Sequence, residues 1–207
     1  MKDLYRIFVE GDADKRFIAQ LLESIFNENI PSGNIIPTHG YKNLIAVDKE
    51  RTFINEMQRT TADGGINLVV FDADSNCETR RRELSDWERR SEVNFELFLF
   101  PDNSNSGELE DLLRQIINPV NQPVMECWDK YEDSLKAINL PWKDGIPLTI
   151  PAKKTRIYAY LEALLGSSRS EKEKIKEAKR DYLNKNHWDL NAQALHNLID
   201  FLESNLS

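Results

Sequence analysis

The stretch Ile66 to Phe71 is apolar at nearly every position and runs directly into Asp72-Ala73-Asp74. A strand that is hydrophobic on both sides must be covered on both faces, which is the situation of a central strand in a parallel sheet. That one run points the chain toward an α/β architecture with helices above and below the sheet. Its neighbours agree. Leu4 to Val9 is a shorter apolar run closed by Glu10-Gly11, and Phe17, Ile18, Leu21, Leu22, Ile25 and Phe26 follow at helical spacing. Asp12 and Asp14 fall where an N-cap and a first-turn acid would stabilise that helix. Pro31 to Gly33 reads as a turn, Asn34 to Thr38 as a short strand, and Phe53, Ile54 and Met57 as a helix ending before Gly64-Gly65. After Asp74 a polar helix with Cys77, Leu84 and Trp87 leads to a strand over Val93 to Phe100, closed by Pro101-Asp102. Leu109, Leu112, Leu113, Ile116 and Ile117 then mark a helix that stops near Pro119.

The alternation of strand and helix over residues 1–118 predicts a mainly parallel sheet of about four strands flanked by helices. Past that point the periodic segments are helical: Trp128, Tyr131, Leu135 and Ile138, then Ile157, Leu161, Leu164 and Leu165, then Leu195, Leu198, Ile199 and Leu202. Residues 119–207 are therefore expected to be a helical extension packed on the α/β domain, with Pro141 to Pro151 irregular.

Charge and cysteine content narrow the chemistry. The 207 residues carry 27 Lys and Arg against 35 Asp and Glu, a net charge of −8, so a phosphate-rich partner must be met locally rather than by overall charge. Cys77 and Cys127 lack zinc-type spacing and His39, His187 and His196 are scattered, so no thiolate or imidazole metal site is expected and both thiols read as reduced. Lys2, Asp3 and Arg6 interrupt any secretory signal, and no run approaches the roughly eighteen apolar residues of a membrane span. The expectation is a cytoplasmic protein that meets no membrane.

Glu10, the Asp72/Asp74 pair and Glu108/Glu110 all fall at or just beyond the ends of predicted parallel strands or the turns that follow them. In an open α/β sheet those ends share one edge, where ligands bind. Carboxylates gathered there repel one another unless a cation intervenes, and an oxygen-only donor set suits Mg²⁺ or Mn²⁺.

Val9-Glu10-Gly11-Asp12-Ala13-Asp14 together with Val70-Phe71-Asp72-Ala73-Asp74 resembles the Toprim domain of primases, topoisomerases and OLD-family nucleases, the OLD branch most closely. Gly107-Glu108-Leu109-Glu110 matches a third element of that pattern, and Lys153 or Lys154 matches a lysine beyond it. The full length, including Lys154 to Leu161 and Trp188-Asp189-Leu190, resembles a small standalone bacterial family of Toprim-like proteins with no assigned function. The resemblance implies a Toprim-like fold over 1–118. It also implies Glu10 as a metal ligand and candidate general base, with Asp14, Asp72, Asp74, Glu108 and Glu110 around one or two divalent ions, and Lys153 or Lys154 at the phosphoryl charge. The implied activity is divalent-metal-dependent phosphodiester chemistry on nucleic acid, DNA or RNA. OLD nucleases usually carry an ATPase domain, and no Walker A sequence occurs here, so the resemblance implies either a separate ATPase partner or lost activity.

Two other readings stand beside it. A non-catalytic Toprim-derived module would bind nucleic acid or a partner without cleaving. A phosphatase resembling the haloacid dehalogenases would use Asp72 as nucleophile and Asp74 as general acid, although that family opens with this motif and here Glu10 and a whole strand-helix unit precede it.

The remaining charged residues read more plainly. Lys153 to Arg180 holds nine Lys or Arg against four Glu, an island in an acidic chain; its distal half reads as a solvated helical face. Arg80-Arg81-Arg82 and Arg89-Arg90 are balanced by Glu78, Glu83, Asp86, Glu88 and Glu92, so that helix is expected to be solvated and internally paired. His39 reads as a turn residue, and the tryptophans as packing residues.

Overall fold

The computed structural model describes residues 4–46 and 50–207; the expectation resting on Lys2 and Asp3 lies outside the described residues. Four strands, β1 (Tyr5–Val9), β2 (Ile35–Pro37), β3 (Ile66–Asp72) and β4 (Glu96–Phe100), form one all-parallel sheet in the order β2-β1-β3-β4. Val9 pairs with Val70, and Asp72 with Phe100, so the C-terminal ends of β1, β3 and β4 lie along one edge.

Helices cover both faces. On one side Ile7, Val9, Leu68, Val70, Phe98 and Phe100 pack in a large cluster with α1 (Asp12–Phe26) and α5 (Leu109–Gln115). On the other, Phe8, Val69, Phe71 and Leu99 meet α2 (Tyr41–Ile45), α3 (Glu50–Ala62) and α4 (Cys77–Ser91). The period-2 alternation of these residues sorts them between the faces, as pleated strands require. The chain winds outward from β1 to β2, then crosses back to β3 and β4, so a topological switch point lies between β1 and β3.

The remaining helices are α6 (Gln122–Ala137), α7 (Lys153–Leu165), α8 (Arg169–Ile175) and α9 (His196–Leu206). They share the larger cluster with the α/β part, because Phe17 and Leu68 pack in the same body as Ile157, Trp188 and Leu202. Trp188 is 1% exposed and sits between Tyr160 and Tyr182, with ring centroids 5.6 and 5.4 Å away. Backbone bonds reinforce the join: Asp189 N donates to Ile116 O at 2.7 Å and Tyr182 N to the Gln20 side chain at 2.8 Å. Between Pro141 and Pro151 there is a short 3-10 turn at Pro141–Lys143 and no other helix or strand. Among the described residues no helix is long and apolar enough to cross a membrane.

Several local expectations shift. The N-cap of α1 is Gly11 rather than Asp12, because Asp14 accepts from Gly11 N at 2.8 Å and anchors the first turn from its third position. The last strand begins at Glu96 rather than Val93, since Val93 N donates back to Glu88 O and closes α4. Short α2 shows no helical stripe in the sequence, because five residues are too few, while the distal half of the Lys153 to Arg180 island, read as a solvated helical face, forms α8 and a 3-10 turn at Glu177–Lys179.

Removing the Trp188 side chain should therefore weaken the whole protein. Trp188→Ala is expected to lower unfolding stability by about 3–5 kcal/mol, read as a shifted urea midpoint. A change below 1 kcal/mol would mean that residues 119–207 do not complete the core.

Candidate metal centre

Glu10 leaves β1 and Asp72 ends β3, the two strands that flank the switch point. Glu10 accepts from Asp72 N at 3.3 Å and from Tyr41 N at 3.2 Å. Asp72 accepts from Leu109 N at 2.8 Å, so its carboxylate faces the first residue of α5. Asp14, 6% exposed, comes in from the first turn of α1, and Glu110 from the first turn of α5.

The electrostatics follow from this crowding. Burial pushes the Asp72 carboxyl well above its usual range, and the charges of Asp14, Glu10 and Glu110 push it further. Burial likewise raises Asp14, aided by Glu10 and Glu110 against the opposing bond from Gly11 N. Glu10 is raised by burial although the Arg80 charge pulls it back. Glu110 is raised by burial and by Glu108, with Arg180 opposing. Four carboxylates from separate segments thus disfavour one another's ionisation at one edge of the sheet.

The other expected site residues divide. Lys153 reaches the edge: its Nζ lies 2.7 Å from Asp111 Oδ2 and 3.7 Å from Glu108 Oε1. Burial lowers its pKa, but Asp111, Glu108 and Asp72 outweigh that and hold it above the usual lysine range. Lys154 is exposed and makes no ion pair or hydrogen bond among the described residues, so only the first lysine meets the acids. Glu108 faces Lys153. Asp74, with φ of +51° and half its side chain exposed, turns to Arg80 instead of joining Asp72. His39 is an exposed turn residue, also at positive φ. Among the described residues, no three His, Cys, Asp or Glu side chains stand where they could hold a metal ion with their present orientations.

The turn that carries these acids is pinned by Gly107. Asp74 N donates to Gly107 O at 2.9 Å, and Gly107 has φ of +152°. A Cβ at this position would lie 2.6 Å from Asp111 Oδ2 and 2.9 Å from Pro101 Cδ, so only glycine fits.

Two arginines complete the site, and the sequence reading placed neither there. Arg80, expected on a solvated, paired face, has a side chain only 11% exposed. Its guanidinium lies 3.5 Å from the Tyr41 ring centroid and contacts Glu10 at 3.6 Å, Glu83 at 3.8 Å and Asp74. Arg180 is 1% exposed; its Nε donates to Ile175 O at 3.0 Å, and neither Nη has a hydrogen-bond partner among the described residues. A pocket of about 270 Å³ adjoins Glu110 and is lined also by Asp111, Arg114, Lys153 and Arg156.

Residues 5–206 match the family described as protein of unknown function, DUF3226. The chain belongs to the DUF3226 family. No curated protein and no solved structure matches this DUF3226 chain.

The crowded acids make a prediction for the metal-free DUF3226 protein. A carboxyl whose folded pKa is raised binds more protons when folded than when unfolded, so stability falls as pH rises above the ordinary value of 3.8. In Asp72→Asn the amide oxygen can still accept from Leu109 N while one repulsive charge disappears. With chelator present at pH 7.5, the variant is expected to be more stable by about 1–2 kcal/mol and to lose less stability between pH 5 and 7.5. Thermal melts across that range check both outcomes; a destabilised variant would make Asp72 a plain structural acceptor.

Proposed function

We propose that this acidic edge binds a divalent cation, Mg²⁺ or Mn²⁺, and that the protein performs phosphodiester chemistry on nucleic acid at that edge. The observation that carries the reading is the placement of Glu10 and Asp14 at the start of α1, Asp72 at the end of β3 and Glu110 in the first turn of α5, with Asp72 N donating to Glu10 and Leu109 N to Asp72, beside the β1/β3 switch point. The resemblance of the same acids to the Toprim pattern supports it.

The donor set fits such an ion chemically. All four groups are hard oxygen donors, and a dication relieves the repulsion that burial imposes on them. Glu10 is held by two backbone amides and Arg80, so it must exchange some of these contacts for a cation to be held. When bound, the ion supplies a polarised water and neutralises charge on the departing oxygen. The chain's own residues do the rest. Glu10, which accepts from the Tyr41 and Asp72 amides in the free protein, is the candidate base for the attacking water. Lys153, held by Asp111 and Glu108, stands on the pocket side of the acids, where it can balance phosphoryl charge. The adjoining pocket brings Lys153, Arg114 and Arg156 together with Glu110, Asp111 and Glu132, and each of the three cations is ion-paired to an acid, so a flanking backbone phosphate would have to take one of them from its partner.

The test is manganese-dependent nicking of plasmid and cleavage of single-stranded DNA and RNA, with Asp72→Asn as the control. The variant is expected to lose at least ~100-fold in rate, about 2.7 kcal/mol of barrier, while its chelated form stays folded. Metal binding without cleavage would identify a non-catalytic module or one that awaits an ATPase partner. Turnover of a phosphomonoester with no cleavage would favour the phosphatase reading. An absence of metal-induced stabilisation in the parent protein would remove the proposal.

A further inference from the structure

Arg80 is an anomaly within its own helix. Arg82, two residues on, is exposed, and Arg81 is spent on the loop after β4, donating to Asn103 Oδ1 at 2.7 Å and Asn103 O at 2.8 Å. Arg80 instead lies over the Tyr41 ring and touches three carboxylates. The platform beneath it is fixed, because Tyr41 OH donates to Glu83 at 2.7 Å while Tyr41 N donates to Glu10. One residue thus sets the positions of both Glu10 and the guanidinium.

Despite three acids around it, Arg80 is incompletely satisfied. Its Nη1 is buried and has no hydrogen-bond partner among the described residues; the contact to Glu10 at 3.6 Å is an ion pair too long for a hydrogen bond. A guanidinium offers five N–H donors in a planar fork that matches two oxygens of a phosphoryl group, and a buried donor without an acceptor is costly. The second buried arginine of the site is less suited, since Arg180 is 1% exposed with its guanidinium 4.7 Å from the Tyr158 ring centroid. Arg80 combines an orphaned donor with a place between Glu10 and Asp74 at the strand ends.

We propose that Arg80 is the residue that receives the non-bridging oxygens of the substrate phosphoryl group, stored in the free protein as the counter-ion of Glu10 and Asp74. This rests on the metal-dependent reading above. A dication drawing on Glu10 competes with Arg80 for the same carboxylate and leaves the guanidinium short of acceptors. The phosphoryl group then supplies them. Metal and phosphate consequently bind in order, metal first, and each strengthens the other.

The experiment titrates Mn²⁺ alone into the parent protein, R80A and R80K, then titrates inorganic phosphate into each with Mg²⁺ saturating. R80A is expected to bind Mn²⁺ about 3- to 10-fold more tightly, because a competing cation is gone, and to bind phosphate at least ~10-fold more weakly. A residue of merely structural value would weaken both. R80K keeps the charge without the fork, so it should hold the parent's Mn²⁺ affinity and show a phosphate affinity between the other two. Melting in chelator reports whether R80A folds; if it does not, R80K with parent-like phosphate affinity overturns the proposal. Parent protein that binds Mn²⁺, with R80A binding it no more tightly or phosphate equally well, overturns the role of Arg80 and leaves the metal reading standing. Parent protein that binds no Mn²⁺ overturns both.

Discussion

Two-sided burial of β1 and β3 governs the rest of this molecule. Phe8, Val69 and Phe71 face one helical layer while Ile7, Val9, Leu68 and Val70 face the other, and none of these is exposed. A central pair built this way has almost no room for polar function along its length; Asn67 is an exception, its amide nitrogen donating to Met57 O at 3.0 Å while its Oδ1 is buried without a hydrogen-bond partner among the described residues. Polar chemistry is displaced to the strand ends. There the chain must turn, backbone amides are free, and side chains regain partial access to water. The crossover between β1 and β3 makes one of those ends a cleft rather than a smooth rim.

The electrostatic character of that end follows from where the amides go. Gly11 N is taken by Asp14, Leu109 N by Asp72, and Tyr41 N and Asp72 N by Glu10. Each acid is held by main chain, which fixes position well and neutralises charge poorly. The formal positive charges that do approach are set to the sides, Arg80 toward Glu10, Arg180 toward Glu110 and Lys153 toward Glu108 and Asp111. Asp72 and Asp14, deepest in the group, have no cation in contact among the described residues.

How much of this could be read from the sequence depends on the kind of signal. The sheet was legible because strand burial writes itself as runs such as Ile66 to Phe71, and the edge acids because each follows such a run. The roles of individual acids were less so: whether Asp74 joins Asp72 or turns away depends on a positive φ imposed by the bridge to Gly107, which no spacing reports. Arg80 left a trace that charge counting hid. Cys77, Leu84 and Trp87 define the buried stripe of α4, and Arg80 falls between the first two at i+3 and i−4, on the stripe itself. A charge on an apolar stripe signals a built site more strongly than its balance with neighbouring acids signals a solvated one. Arg180 left no comparable trace, since it stands in irregular chain after a single 3-10 turn and gains its burial from α1 and Tyr158 far away in sequence.

The bridge between Asp74 and Gly107 joins the exit of β3 to the exit of β4 at a single point, and the glycine leaves no slack there. Glu108 and Asp111 follow within four residues, and Lys153 is fastened to both. The Asp74 turn, the start of α5 and the start of α7 are therefore geared together. Displacing the Asp74 turn outward would pull on the start of α5 and, through the half-exposed ion pairs, strain the hold on Lys153, so the shape of the cleft mouth and the position of that lysine are linked.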